Sequence, residues 1–228
     1  SLDRIPGVTA LLQKDISFAL LYLLHAQQPA VLALAIRVLL NLFSSFRPLF
    51  KLHLEAFLVT LTKLATDCQG NHQKHTDLIL QTIIELCKIK SFTVELYANY
   101  DCDAYCSDIV SNLSEFLYKA AFPRGEVPLT GTHILALEAL LMLLSSLSKS
   151  VSEAETAVPS ISSPNHSNQS EAQKLRRSKQ RKRVLQQAAD KFNKVPAECW
   201  QFLEKQGLMT SVNGKPDPKA IAAFFRTT

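Results

Sequence analysis

Residues 132–147 read THILALEALLMLLSSL, and this run is the clearest structural signal in the chain. Its apolar side chains recur at spacings of three and four without an internal Gly or Pro, which is the pattern of an α-helix. The helix is apolar on most of its sides, and a helix of that kind is expected inside a stack of other helices. The run therefore predicts a helical fold built by stacking.

Helical periodicity continues on both sides of this run, in segments of roughly 15–20 residues joined by short connectors. Only six glycines occur in 228 residues, which disfavours a turn-rich β fold. Successive helices of this length predict an all-α, HEAT/armadillo-like helical array in which each helix pair buries its apolar face on its neighbours. We predict helices near 9–27, 29–45, 48–66, 75–90, 103–121, 132–147, 171–193, 196–205 and 217–226.

A change of composition after residue 149 suggests the domain boundaries. Residues 150–173 are rich in Ser, Asn, Pro and Glu and contain no aromatic residue. Such a segment buries too little apolar area to offset its ordering entropy, so we expect a disordered linker. The predicted organisation is a helical domain at 1–149, a linker at 150–173 and a short C-terminal helical segment at 174–228.

Positive charge is concentrated in one segment. Residues 171–194 hold nine Lys/Arg and two Asp/Glu, a local charge of +7, whereas the whole chain carries +5. The basic residues between 174 and 183 could bind nucleic acid, contact an anionic membrane surface, or form the solvated face of a linker helix. No aromatic residue interleaves them, which disfavours nucleic acid. The candidate residues are Lys174, Arg176, Arg177, Lys179, Arg181, Lys182 and Arg183.

A polar box, residues 99–103, lies between strongly apolar helical segments and reads Asn99, Tyr100, Asp101, Cys102, Asp103. One interpretation is local, because Asp101 or Asp103 could cap the next helix. The functional interpretation is an ordered polar surface that binds another protein domain, and the two roles can coexist. Paired carboxylates could also act as acid and base, but no nucleophile lies nearby in the sequence.

Five cysteines without regular spacing argue against a disulfide framework. Cys102 and Cys106 could be imagined as metal ligands together with His72 and His75, but the spacing is unlike that of structural zinc sites. We therefore expect buried free thiols, no metal and no cofactor. Residues 1–7 lack the features of a secretory signal, and the chain is expected to be a piece of a longer protein.

The box and its surroundings resemble the large Arf guanine-nucleotide exchange factors. Residues 95–107, ELYANYDCDAYCS, look like the signature box of the region that lies upstream of the Sec-seven domain in these proteins. Residues 120–123 (AAFP) and 132–140 (THILALEAL) resemble the Golgi brefeldin-A-resistance branch. The basic run, followed by Phe192-Asn193, Pro196, Phe202-Leu203 and Gly207-Leu208, is similar to the lead-in and first helices of a Sec-seven domain.

The resemblance implies a non-catalytic regulatory region, because the family's catalytic glutamate lies deeper in the exchange domain than this chain reaches. It implies that residues 99–103 bind the N-terminal dimerisation and cyclophilin-binding domain of the same protein. It further implies an Arf-family small GTPase as partner of the exchange domain, and a cytoplasmic location, peripheral at Golgi membranes. Two alternatives are a solenoid adaptor unrelated to Arf and a nucleic-acid binder that uses the basic run.

Overall fold

The computed structural model describes residues 6–46, 49–67, 73–123, 125, 128–156, 166–209, 211–212 and 215–227. Almost all of these residues are helical, in eleven α-helices and two π-helical turns. The α-helices are α1 (Pro6–Leu11), α2 (Ser17–Leu23), α3 (Pro29–Phe46), α4 (Lys51–Asp67), α5 (Gln73–Lys88), α6 (Phe92–Leu96), α7 (Ile109–Ala121), α8 (Gly131–Thr156), α9 (His166–Lys194), α10 (Pro196–Lys205) and α11 (Pro218–Thr227). The π-helical turns, Leu12–Ile16 and Tyr97–Asp101, directly follow α1 and α6.

The predicted all-α class is confirmed, while the HEAT/armadillo-like arrangement stays a prediction. The described residues also contain one antiparallel pair of two-residue strands, β1 (Ser211–Val212) and β2 (Lys215–Pro216). Contacts divide the chain into two units. Unit 1 comprises residues 1–95 and 109–158, and unit 2 comprises residues 96–108 and 159–228.

Unit 1 is a packed group of helices in which α5 and α7 both lie against α8, and α5 also contacts α3 and α4. Large apolar side chains fill its centre, and Phe43 and Phe57 pack with ring centroids 5.4 Å apart. Its fully buried side chains include those of Leu39, Phe57, Leu61, Ile79, Leu80 and Leu117. Burial of each such side chain stabilises the fold by about 1.5–3 kcal/mol, so these positions hold unit 1 together.

Helix α8 is enclosed on one side only, which differs from the expectation for an all-round apolar helix. Ala136, Ala139 and Leu143 are fully buried, because small residues on this side allow close approach to α5 and α7. On the other side, Ile134 is 67% and Leu141 57% exposed within this chain. Among the described residues, 29–46 and 131–149 are long and apolar enough to cross a membrane, a test that core helices of soluble proteins also pass.

Unit 2 combines the polar box with the C-terminal helices, a grouping that the predicted domain boundaries did not anticipate. Helix α9 packs along α10, and its second half contributes to a small core with α10 and α11. That core consists of Leu185, Ala188, Cys199, Leu203, Met209 and Phe224. The segment 96–108 therefore folds with residues that follow it by more than fifty positions.

Most predicted helices are present with shifted ends. The predicted linker 150–173 is helical at both of its ends, because α8 continues to Thr156 and α9 begins at His166. Residues 157–165, at its centre, lie outside the described part of the chain. The predicted helix 103–121 begins six residues later, at Ile109, because residues 102–108 form turns.

The C-terminal boundaries were predicted correctly from local chemistry. Pro196 is the first residue of α10, where its missing N–H costs nothing. Gly207 has φ +67, and the Leu208 N–H donates to the Leu203 carbonyl at 3.0 Å, which closes the end of α10. The Asp217 carboxylate accepts the Lys219 N–H at 3.1 Å and so caps α11.

Candidate protein-binding box and its buried lysine–aspartate cluster

The backbone of the box is shaped by a π-helical turn. The Cys102 N–H donates to the Tyr97 carbonyl at 3.0 Å, a bond that spans five residues. The chain then turns, and the Tyr105 N–H donates to the Asp103 carboxylate at 2.9 Å. Single π-helical turns occur frequently at functional sites, because they re-aim side chains and carbonyls that a regular helix would use internally.

The carbonyl oxygens of Tyr100 and Cys106 both accept hydrogen bonds from the Lys182 ammonium, at 2.8 Å and 2.5 Å. The same ammonium lies 2.8 Å from Asp108 Oδ1. A lysine ammonium has three N–H donors, so these three acceptors can use all of them. A cation at this place is also favoured electrostatically, because the last carbonyls of the helical segment 92–101 carry partial negative charge.

Lys179, one turn earlier on α9, approaches both carboxylates of the cluster. Its Nζ donates to Asp108 Oδ1 at 2.9 Å and lies 3.5 Å from Asp101 Oδ1. It also lies 5.9 Å from the ring centroid of Tyr97, within range of a cation–π attraction. We call Asp101, Asp108, Lys179 and Lys182 the lysine–aspartate cluster.

The cluster is largely shielded from water. The side chain of Asp101 is 0% exposed, that of Lys182 3% and that of Lys179 9%. Two cations and two anions give a formal charge of zero, which is the condition under which buried charges are tolerated. Burial raises the pKa of Asp108, but hydrogen bonds from Lys182, Lys179 and Gln186 outweigh it, so the pKa lies below its ordinary value.

The structure separates the predicted box residues into two groups. Tyr100, Asp101 and Cys102 are buried, whereas Asn99 is exposed and Asp103 is half-buried. The Asp103 carboxylate accepts the Tyr105 N–H, in the turn that precedes α7. The accessible surface of the box therefore centres on Asn99, Asp103 and the neighbouring Tyr105, which is 71% exposed.

The predicted basic run, residues 174–183, also separates into a buried group and an exposed group. Lys179 and Lys182 are buried against the box, so these two do not lie on the surface that a membrane would contact. The other five are exposed on α9: Lys174, Arg176, Arg177, Arg181 and Arg183. The two sets of residues that the sequence singled out independently thus meet in one cluster.

Neither a metal-binding group nor an activated thiol is found at the box, within the part of the chain that the structure describes. No group of His, Cys, Asp and Glu able to hold a metal occurs in the described part of the chain. Burial raises the pKa of the Cys102 thiol, and it raises the pKa of the Tyr97 hydroxyl, which hydrogen-bonds with that thiol. The protonated, buried thiol of Cys102 is a poor nucleophile.

An aromatic cluster holds the far end of α9. Phe192 packs edge-on against Trp200 of α10, with centroids 5.5 Å apart, and against Phe225 of α11, at 5.2 Å. Ala104 of the box segment also packs against this small core. Helix α9 is therefore anchored by apolar contacts at its second half and by charges at the lysine–aspartate cluster.

Sequence reasoning missed Asp108 and the pairing of the box with α9. One usable signal exists, because Lys179 and Lys182 align with Leu175 and Gln186 at spacings of three and four, on a single face of the helix. Gln186 does reach Asp108 Oδ2, at 3.3 Å. Lys179 and Lys182 thus occupy inward-facing positions of an amphipathic helix. Because the acidic box carries the opposite charge, this register indicates that the lysines pair with the box inside the protein.

Comparison with known proteins identifies the class. Residues 3–109 match the family described as Sec7-like HUS, "Mon2/Sec7/BIG1-like, HUS domain". The chain is thus related to the large ARF guanine-nucleotide exchange factors, as the box indicated, and its residues 3–109 match the HUS domain of these proteins. No solved structure matches it.

Particular relatives agree with this class. The ARF guanine-nucleotide exchange factor GNOM of Arabidopsis thaliana is 31% identical over 100% of the chain and 16% of GNOM. The Caenorhabditis elegans homologue of Golgi-specific brefeldin A-resistance guanine nucleotide exchange factor 1 is 28% identical over 64% of the chain and 8% of its own length. Brefeldin A-inhibited guanine nucleotide-exchange protein 1 of Rattus norvegicus is 23% identical over 86% of the chain and 13% of its own length.

The chain spans less than one fifth of the length of each of these relatives. The match to GNOM covers the whole chain, so the homology includes α9 to α11 as well as the box. This homology favours the exchange-factor interpretation over an adaptor unrelated to Arf.

Proposed function

We propose that this chain is a non-catalytic regulatory region of an Arf guanine-nucleotide exchange factor that acts at Golgi membranes. The observation that carries the proposal is the lysine–aspartate cluster, in which the box holds a basic helix that resembles the lead-in to a Sec-seven domain. The cluster fixes the register of α9 on the box. Whatever follows α9 in a longer protein is thereby oriented by the box.

The energetics fit a positioning role. A buried ion pair contributes little net stability, because desolvation offsets most of the Coulomb attraction, but removing one partner costs several kcal/mol. A buried ion pair is therefore better suited to selecting one arrangement of two chain segments than to adding stability. Lys182 is bonded to two backbone carbonyls and one carboxylate of the segment 100–108, so a shift of α9 by one residue would break all three contacts.

We further propose that the exposed part of the box binds the N-terminal dimerisation and cyclophilin-binding domain of the same protein. The buried residues of the box shape this surface, and the exposed residues Asn99 and Tyr105 contact the partner. Tyrosine is enriched among the residues that dominate binding energy at protein interfaces. An Arf-family GTPase would engage the exchange domain and not this chain.

A titration of this chain with the N-terminal domain of its parent protein tests the docking proposal. Asn99→Ala with Tyr105→Ala should weaken binding at least ~10-fold while leaving the circular dichroism spectrum unchanged. Arg183→Ala, an exposed change on α9, is the matched control and should bind like the parent chain. Equal affinity of the double variant and the control would contradict docking through the box.

A second role is favoured by the exposed half of the basic run. Five Lys/Arg side chains extend into solvent from α9, and none of them belongs to the lysine–aspartate cluster. Each basic residue near an anionic membrane surface contributes about 1 kcal/mol of attraction. We propose that this half of the run contacts anionic lipid and contributes to peripheral attachment at the Golgi.

A further inference from the structure

A serine lies inside the exposed basic surface of α9. Ser178 is exposed, and it directly follows Arg176 and Arg177 in the sequence. On a helix, residues three and four apart are neighbours, so Ser178 adjoins Lys174 and Arg181, and Arg177 precedes it directly in the chain. All three of these basic residues are exposed, so the hydroxyl sits in the middle of a cationic stripe.

We infer that Ser178 is a phosphorylation site that switches off the lipid contact of α9, an inference that rests on the lipid contact proposed above. Basic residues before and after a serine complement the acidic substrate groove of a basic-directed protein kinase. In the reaction the Ser178 oxygen attacks the γ-phosphorus of ATP. A new P–O bond forms, the bond from the γ-phosphorus to the bridging oxygen breaks, ADP leaves, and the hydroxyl proton is released.

The stripe would hold the resulting phosphate in place. A phosphoserine carries a charge of about −1.5 to −2 and three strong acceptor oxygens, and Arg side chains are its preferred donors. Lys182 is also four residues from Ser178, but its N–H groups are already committed to Tyr100, Cys106 and Asp108. The phosphate therefore acts on the exposed stripe and leaves the lysine–aspartate cluster intact.

The effect on lipid binding follows from charge. The exposed half of the run carries five positive charges. A phosphate removes about two of them and also occupies the arginines that would contact lipid headgroups. Because attraction to an anionic membrane accumulates residue by residue, phosphorylation should weaken vesicle binding by about 10-fold or more.

Access to Ser178 depends on how firmly α9 is held. A kinase binds its substrate segment in an extended form, so the helix must open locally around Ser178. Lys179, the next residue, is anchored to Asp101 and Asp108. Asp108→Asn removes one anchor and should speed phosphorylation relative to the parent chain.

The test treats the whole chain with a kinase of the protein kinase C class and ATP and locates phosphate by mass spectrometry. Phosphate on Ser178, lost in Ser178→Ala, is expected. Its absence from both the parent chain and Asp108→Asn would overturn the assignment.

Phosphorylated and untreated chains are then sedimented with vesicles of phosphatidylcholine and phosphatidylserine, and Ser178→Ala after kinase treatment serves as control. Weaker binding of the phosphorylated chain alone supports the switch. Equal binding of all three overturns the switch but leaves the lipid contact standing. If the untreated chain does not bind these vesicles, both the lipid contact and the switch are contradicted.

Discussion

The ammonium of Lys182 lies 2.8 Å from Asp108 Oδ1, although the two residues are separated by 74 positions in the sequence. This pair joins the basic helix to the segment that directly follows the acidic box, and Lys179 adds a contact with Asp101 of the box itself. Because the box packs against α9, part of the box is buried and is not accessible to another protein. Its buried half holds α9, and its exposed half remains available to a partner.

Loss of Lys179 should destabilise unit 2. Lys179→Met removes the ammonium that lies 3.5 Å from Asp101, a carboxylate with no solvent exposure. Breaking a buried pair from one side costs about 3–5 kcal/mol, because the remaining charge stays desolvated. Urea unfolding followed by the fluorescence of Trp200, the single tryptophan and a member of unit 2, reports this loss.

Arg181→Met is the matched control for that measurement, because Arg181 is exposed two residues further along α9. Exposed substitutions of this kind change the free energy of unfolding by about 0.5 kcal/mol or less. Similar unfolding curves for the two variants would show that the buried position of Lys179 has no energetic consequence.

Acid should weaken unit 2 through Asp108. Its folded-state pKa is lowered by hydrogen bonds from Lys182, Lys179 and Gln186, in spite of the opposing effect of burial. A carboxyl whose folded pKa lies below its unfolded value stabilises the fold above the unfolded pKa, and this stability is lost as pH falls through the folded pKa. The loss therefore occurs below about pH 4.

The checking measurement is the free energy of unfolding against pH for the parent chain and for Asp108→Asn. The asparagine cannot titrate, so the difference between the two curves should shrink as the pH falls below about 4. A constant difference across this range would mean that Asp108 does not titrate with a lowered pKa in the folded chain.

The alkylation rate of the Cys102 thiol should measure opening of the lysine–aspartate cluster. It is buried, and burial raises its pKa, so little reactive thiolate is present near neutral pH. We expect slow alkylation of Cys102 by iodoacetamide in the parent chain and several-fold faster alkylation in Lys179→Met. Peptide mass spectrometry assigns the label, and Cys87, which lies in unit 1 and has a pKa raised by burial to about 11, should stay slow in both proteins.

Glycine at position 207 should be required by its backbone conformation. Gly207 has φ +67, and an added Cβ would meet no atom within 4 Å, so the cost of Gly207→Ala is conformational only. We expect a loss of about 1 kcal/mol. Gly131→Ala, at a glycine without positive φ and with equally open surroundings, is the control, and thermal unfolding should separate the two variants.

Helix periodicity, capping and composition were enough to predict the class of fold and most helix positions. They could not place the box, because its partners on α9 follow it by 76–82 residues and local pattern carries no information on such pairings. At both ends of the predicted linker, α8 and α9 extend polar sequence as helix beyond the points where apolar periodicity fades, so apolar periodicity alone could not give these helix ends.

The candidate site was predicted only in part, and for a related reason. Tyr100 and Cys106 contribute backbone carbonyls, which any residue type could supply, so their roles leave no mark in the sequence. By residue type alone, Lys179 and Lys182 cannot be distinguished from the exposed basic residues beside them in the sequence. Only their register on α9 distinguishes them, and that register becomes informative once the acidic partner is known.

A double-mutant cycle between Lys182→Met and Asp108→Asn tests most directly whether the lysine–aspartate cluster holds the basic helix. Free energies of unfolding are measured for the parent chain, both single variants and the double variant, with Trp200 fluorescence as the signal. The account predicts a coupling energy of about 1–3 kcal/mol, the range found for residues in one buried network. Additive effects, within about 0.5 kcal/mol, would contradict it.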